Sequence, residues 1–288
     1  MADNSKTHEA TKAIEQMREW INTQPHLPKD IDDYLLLRFA HSCYYDLEKA
    51  KVAADLFFTF RADNSSFITD RDPLSPHMQK ILSIINIGYL KLPGKRNLWV
   101  YQINDPGLNI YEYMLDVKLF FLSTDAWLLS NDELEESDIV IMDVKDISLK
   151  FLTKYSMSVA KKVAKYQEEV VPIRLKQVHI VNTPVVMDTI YGLMKPFLKK
   201  ELTDLIYFHQ PNSQTLYKYL DKEELPEDYG GTRPKMEELN KSIVELIMKY
   251  RERLNEKLWV AIDKKSKNKS SADKSSTESS SFRSLGID

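Results

Sequence analysis

The sequence has only 7 glycines and 1 cysteine among its 288 residues. With Cys43 alone, an intramolecular disulfide is excluded, and no CxxC or Cys/His set exists to hold a structural metal. There is no GxGxxG and no Walker loop; LPGKRN at 92–97 lacks the upstream glycine and the Ser/Thr of a phosphate loop and reads as a turn. No uncharged apolar run approaches the roughly 18 residues of a membrane span. The N-terminal MADNSKTHEA has no apolar centre of the kind a signal peptide carries. These absences predict a cytosolic protein whose membrane contacts are peripheral and transient. A net charge of -3 and a pI near 6.1 argue against a nucleic-acid binder, which is normally basic.

What is present suits a folded globular chain: 43% hydrophobic and 29% charged residues, enough for one large core or two modest ones. Ala10, Ala13, Ile14, Met17, Trp20 and Ile21 recur at helical spacing until the Pro25–Pro28 segment. Asp30 is placed to cap a second helix carrying Tyr34, Leu35, Leu37 and Phe39. Asp46 is placed to cap a third, with Leu47, Ala50, Ala54, Phe57 and Phe58 inward. This predicts an N-terminal helical unit over 1–75, ending in the polar DRDPLSP at 70–76.

From 76 to 232 short β-rich runs alternate with longer helical ones. LWVYQI (98–103), IVIMDV (139–144), QVHIVN (177–182) and LIYFH (205–209) are apolar on both faces, as strands of a helix-covered, mostly parallel sheet are. Two amphipathic patterns lie between them. One carries Tyr113, Met114, Val117, Phe120, Phe121, Thr124, Trp127 and Leu128; the other carries Leu149, Leu152, Ser156, Val159, Val163, Tyr166 and Val170. The fold class read from this alternation is α/β. One long helix is expected over 234–262, with a seam of Met236, Leu239, Ile243, Leu246, Tyr250, Leu254 and Leu258. The Ser- and Lys-rich 263–288 is expected to lack structure.

Catalytic patterns are missing: neither GxSxG nor HExxH occurs. His8 is terminal, and His26 and His77 stand beside prolines. His41, His179 and His209 fall in predicted elements, where His179 and His209 read as hydrogen-bonded structural groups. Nothing here reads as an enzyme, and no metal or cofactor is expected.

LPEDYGG at 225–231 resembles the motif LP-x-[DE]-Y-GG that closes the lipid-binding domain of the CRAL-TRIO family. LLLRFAHSCYYDLEKAK (35–51) resembles that family's N-terminal helical signature. VVPIRLKQVHIVNTP (170–184), MKPFLKKEL (194–202) and LIYFH resemble its later strands and the helix over its ligand. The resemblance runs from about residue 10 to 262 and is greatest to the tocopherol-transfer and retinaldehyde-binding group.

The resemblance implies a soluble, monomeric carrier: a helical bundle against an α/β domain whose sheet floors an apolar cavity closed by a mobile helix. The ligand class implied is a retinoid, carotenoid, tocopherol or similar lipid, including phospholipid. Moving a twenty-carbon chain out of water gains on the order of 15 kcal/mol gross, at about 0.8 kcal/mol per CH2. By position, the lining is expected from Val117, Phe120, Phe121, Thr124, Met142, Leu152, Val163, Tyr166 and Val178, although ordinary core has the same composition. The cover is expected over 185–202, with Ile190, Leu193, Met194, Phe197 and Leu198 inward. A single polar group such as Thr124, Ser156 or Tyr166 is expected to fix a hydroxyl or carbonyl.

In the family, basic residues near the cover bind phosphoinositide headgroups. Arg174 and Lys176 match two of those positions, but Glu201 and Leu205 occupy two others, and His41-Ser42-Cys43 replaces Arg-Ala-Arg. Arginine binds phosphate bidentately, so these departures weigh against phosphoinositide specificity. Attraction to anionic membrane through Arg174, Lys176, Lys195, Lys199 and Lys200 remains as an expectation. The alternative function is a phosphoinositide- or phospholipid-sensing interaction protein recruited to membranes.

Overall fold

The computed structural model describes residues 2–130, 133–256 and 258–262. The tail from 263, expected to lack structure, lies outside the described residues. Three helices open the chain: α1 (Ala2–Thr23), α2 (Asp33–Ser42) and α3 (Leu47–Asp63). Asp46 caps α3 as expected, accepting from the Lys49 amide at 3.2 Å. The cap of α2 is Asp32, not Asp30; its carboxylate accepts from the Tyr34 amide at 2.7 Å. Both satisfy amides that the first helical turn leaves without partners.

A short helix, α4 (Pro76–Leu82), leads into a hairpin of β1 (Ile85–Leu92) and β2 (Arg96–Ile103). Then follow α5 (Tyr113–Leu129), β3 (Ser137–Asp143), α6 (Leu149–Lys154), α7 (Met157–Glu169) and β4 (Leu175–Val181). After β4 come α8 (Val186–Met194), a 3-10 turn at Lys195–Phe197, α9 (Lys200–Thr203) and β5 (Ile206–Phe208). The sheet order is β1-β2-β3-β4-β5; β1 and β2 are antiparallel and the remaining pairs parallel. The four expected strands are found. The edge strand β1 was not expected, and LPGKRN is the turn that joins it to β2.

Two expected helices are broken. The 149–170 pattern divides into α6 and α7 at Tyr155, whose extended backbone ends the first piece. The expected 234–262 helix is α10 (Met236–Lys249) and α11 (Arg251–Asn255), divided at Tyr250, and residues 258–262 are not helical. Instead they run back to the N-terminal helices: the Ala261 amide donates to the Phe58 carbonyl (3.1 Å) and the Ile262 amide to that of His26 (2.9 Å). Trp259 packs on Phe57. One buried apolar cluster therefore runs from Met17 through Phe57, Phe121 and Tyr166 to Trp259, so the helical unit and the sheet unit share a core.

The lower sheet face carries a second cluster of Leu98, Val100, Ile139, Ile141, Leu225, Met236 and Leu239. α10 lies close to β1 because Gly88 has no side chain: a Cβ there would sit 3.2 Å from Leu239 and Met236. The LPEDYGG turn closes this layer. Gly230 has φ +74°, and the Gly231 amide donates to the Pro226 carbonyl at 3.1 Å. The Asp228 carboxylate accepts from the Met236 amide at 2.8 Å and so starts α10. Its neighbour Tyr229 donates to Asp143 at 3.2 Å, fastening the turn beneath the sheet.

Candidate functional site

The pairing register puts Trp99, Tyr101, Val140, Met142, Val178, Ile180, Ile206 and Phe208 on the upper sheet face. This face is covered unevenly. At one end α5 packs directly on it, with Trp127 edge-on to Trp99 at 5.2 Å. At the other end Met142 is 36% and Phe208 39% exposed, while Val140 and Ile206 are half-buried. Open apolar side chains on the face of a parallel sheet are unusual, because both faces of such sheets are normally buried.

α8 stands over this open end. It is apolar in sequence, VMDTIYGLM, yet Ile190 is its one fully buried residue. Met187, Ile190, Tyr191 and Met194 form its inner stripe; Tyr191 meets Phe208 edge-on at 4.9 Å, and the Tyr155 hydroxyl meets the Met194 sulfur. On the outside, Val185 is 88%, Leu193 46% and Phe197 42% exposed. Tyr113, Phe151 and Tyr155 form a ring cluster beside it, with Tyr113 and Tyr155 centroids 4.9 Å apart. Together the open sheet face, the Tyr113–Phe151–Tyr155 cluster and α8 form a stretch of incompletely covered apolar surface, the candidate groove.

The expected lining residues divide between groove and core. Met142 and Val178 lie on the sheet face; Thr124, Leu152 and Val163 are half-buried, as is Phe120, whose ring packs on Phe121 and Tyr166. Val117, Phe121 and Tyr166 do not face the groove: they are buried in the core shared with the N-terminal helices, where Phe121 packs on Phe60, Phe67 and Tyr166. A helix surrounded on all sides, as α5 is, presents apolar residues to two neighbours at once. Ile190 and Met194 point inward as expected, whereas Leu193 faces out. Phe197 also turns away from the groove, its ring lying under the Lys161 ammonium at 3.7 Å. The expected single cover helix is interrupted at Lys195-Pro196.

The expected basic patch is dispersed. Arg174 is buried; it pairs with Glu136, donates to the His41 carbonyl (2.8 Å from Nε, 2.6 Å from Nη2) and stacks on Tyr44. A guanidinium with those partners fixes α2 to the sheet and is not presented to a membrane. Lys176 donates to the Tyr44 hydroxyl at 2.6 Å, Lys199 pairs with Glu169 at 2.6 Å and Lys200 with Asp204 at 2.5 Å; Lys195 is exposed. The cleft of about 280 Å³ beside Arg174 and Lys199 is lined also by Glu168 and Glu201, so its charge is mixed. A larger cleft of about 450 Å³, with Lys161, Lys162 and Lys165 on its rim, opens between α3 and α7 and was not anticipated.

Polar groups at the groove were also missed. Tyr101 and Tyr111 both donate to the carboxylate of Asp116, Tyr111 at 2.5 Å. Burial pushes the Asp116 carboxyl above its ordinary range, opposed by those two hydrogen bonds. The available signal was a lone acid inside the otherwise apolar start of α5. Elsewhere His179 and His209 meet at 3.0 Å on the opposite sheet face, as hydrogen-bonded structural groups. Among the described residues no His/Cys/Asp/Glu group is arranged to hold a metal, and no helix is long and apolar enough to cross a membrane.

Comparison with known proteins gives the same assignment. Residues 107–231 match the CRAL/TRIO domain and residues 6–78 the Pinta-like UBA domain. Over 226 residues the chain is 28% identical to the alpha-tocopherol transfer protein-like protein of Mus musculus, covering 76% of this chain and 64% of that protein. Over 227 residues it is 28% identical to clavesin-1 of Rattus norvegicus, covering 77% and 63%. The matched region thus spans less than two thirds of these relatives' length. The crystal structure of Sfh5 shares the fold, with a TM-score of 0.52 at 13% identity over 85% of this chain and 98% of that one. By its sheet, its closing LPEDYGG turn and the match over residues 107–231, the chain carries a CRAL/TRIO domain.

Proposed function

We propose that the groove beneath α8 holds one small hydrophobic molecule, of the size of a retinoid, carotenoid or tocopherol, and that the chain carries it to and from membranes. The observation that carries this reading is the pairing of an open apolar sheet floor with an apolar helix that buries only Ile190. Leaving such surface in water costs about 25 cal/mol per Å². A bound apolar guest removes that cost for floor and cover together. The relatives point the same way by name: one is called an alpha-tocopherol transfer protein-like protein.

α8 and the turn after it act as the mobile cover. The segment leaves β4 at Asn182, which has a positive φ of 54°, and Thr183 then anchors it by donating to the Ile180 carbonyl at 3.1 Å. The outward Val185, Leu193 and Phe197, next to the exposed Lys195, form an apolar surface with a cation beside it, suited to an anionic bilayer. In this reading no bond is made or broken.

Extraction of the purified protein with organic solvent, followed by mass spectrometry, should yield one predominant apolar molecule. Fluorescent-lipid transfer between vesicles should be faster with the protein than without it. An empty extract together with no transfer would end the carrier reading.

A further inference from the structure

The cluster of Tyr101, Asp116 and Tyr111 ties β2 to the start of α5, with Tyr111 buried in the core and Tyr101 on the upper sheet face beside Met142. Tyr101 is aligned with Met142 in the sheet register and shares its face. Asp116 lies one turn into α5, three residues beyond Tyr113, whose ring is 4.9 Å from that of Tyr155 under the cover. Tyr101 and Asp116 are both half-buried rather than sealed in core. We infer that this cluster is the polar anchor of the groove and selects a guest with a neutral hydroxyl head over one with a carboxylate or phosphate head. The inference rests on the carrier reading above.

The chemistry follows from counting donors. Tyr101 and Tyr111 each have one hydroxyl proton, and both are directed at Asp116. What the cluster still offers is lone pairs, on two phenol oxygens and the carboxylate. Such a site accepts a hydrogen bond from an alcohol or phenol. Its partners are hydroxyls and no ion pair reaches Asp116 among the described residues, while the Lys154 ammonium is engaged with the Tyr111 backbone carbonyl at 2.6 Å and not with the carboxylate or the phenol oxygens. A carboxylate or phosphodiester head would meet only acceptors, and in an apolar surrounding that mismatch is expensive. The expected polar contact at Thr124, Ser156 or Tyr166 is a poorer candidate: the Tyr166 hydroxyl is buried in the shared core, and Ser156 faces Ser158 at 3.2 Å.

The test uses two probes of the same length, all-trans-retinol and all-trans-retinoic acid, titrated against the full chain by quenching of tryptophan fluorescence. Wild type should bind the alcohol more tightly than the acid by about 10- to 100-fold. Asp116→Asn, which removes the charge and adds a donor, should bring the ratio close to one, chiefly by tightening the acid. Tyr101→Phe should weaken the alcohol and leave the acid unchanged, and it serves alone if Asp116→Asn does not fold. Equal binding of both probes by wild type, or an unchanged ratio in the variants, overturns the anchor while leaving the carrier reading intact. Failure of both probes to bind wild type overturns the two together.

Discussion

Arg61 and Asp125 face each other as a two-pronged pair, Nη1 to Oδ1 at 2.9 Å and Nη2 to Oδ2 at 2.6 Å, with neither side chain exposed to solvent. Arg71 reaches the same carboxylate at 2.6 Å. The two arginines also donate to carbonyls near the C-terminus, Arg61 to Leu258 at 3.3 Å and Arg71 to Leu254 at 3.4 Å. One carboxylate on α5 thereby gathers α3, the segment after it and the chain's last described turn. Burial opposes its ionised form, but Arg61 and Arg71 together hold the carboxyl below its ordinary value.

Asp125→Asn leaves two buried guanidiniums without a counter-charge, so it should destabilise the fold by about 3–5 kcal/mol. Urea unfolding at neutral pH measures this. A loss below about 1 kcal/mol, typical of an exposed pair, would mean that water reaches the cluster.

The paired glycines should differ in their tolerance. A Cβ on Gly231 would lie 1.9 Å from the Leu225 carbonyl oxygen, which is backbone and cannot swing aside. A Cβ on Gly230 would lie 2.5 Å from the Tyr217 hydroxyl, the far end of a side chain, with the added strain of φ +74°. Gly231→Ala should therefore cost more than about 3 kcal/mol, and Gly230→Ala about 1–2 kcal/mol. Thermal unfolding of the two variants in parallel would show the order, and the reverse order would refute the geometry.

Stability should fall on mild acidification because of His179. Its Nε2 faces the Gln177 oxygen at 3.2 Å and its Nδ1 faces His209 Nε2 at 3.0 Å, while His209 Nδ1 meets the Thr215 hydroxyl at 2.7 Å. One neutral tautomer satisfies this chain: each imidazole donates from Nε2 and accepts at Nδ1. A proton on His179 Nδ1 would face the His209 donor. Burial, and then the neighbouring His209, push His179 down to about 4. The unfolded chain takes its proton near the ordinary value of about 6.5. Between those values the unfolded state binds more protons, so stability drops as pH falls from 6.5 to 4, by at most about 1.4 kcal/mol per pH unit from this residue. Urea midpoints at pH 7.5 and 5 should separate more in wild type than in His179→Gln. Equal separation in both would remove the histidine from the account.

Lys161 and Phe197 make one of the contacts between α7 and the end of the proposed cover, an ammonium 3.7 Å from a ring centroid, beside the Lys199–Glu169 pair. An exposed pair of this kind contributes about 0.5–1 kcal/mol. If it latches the cover, Lys161→Ala should speed lipid transfer about 2- to 5-fold without changing the amount of lipid bound. Stopped-flow transfer to vesicles would measure this, and an unaltered rate would make the contact incidental.

Much of the architecture was legible because its signals are local. Asp46 marks the start of α3 because a carboxylate at that spot bonds its own helix's amides, and the β2, β3, β4 and β5 runs show because strands in a covered sheet are apolar throughout. The hairpin strand β1 escaped notice because INIGYLKL mixes Asn and Gly into its alternation, and its Gly88 serves the distant α10. Helix breaks at Tyr155 and Tyr250 were invisible for a related reason: the apolar stripe continues across each break, since both halves still rest on the same core. Phe121 and Tyr166 looked like cavity wall because a packed aromatic and a ligand-facing one obey the same periodicity.

By itself the amino-acid order determined the fold class, the run of helices and strands, and the domain family through LPEDYGG and its companions. These are written in spacing and in backbone requirements that act over a few residues. Three-dimensional packing alone decided that Arg174 is buried against Glu136 and His41, that Leu193 faces out while Ile190 faces in, and that Tyr101 and Tyr111 converge on Asp116. Charge and hydrogen bonding depend on distance through space, and partners 133 positions apart, such as His41 and Arg174, have no periodic trace along the chain.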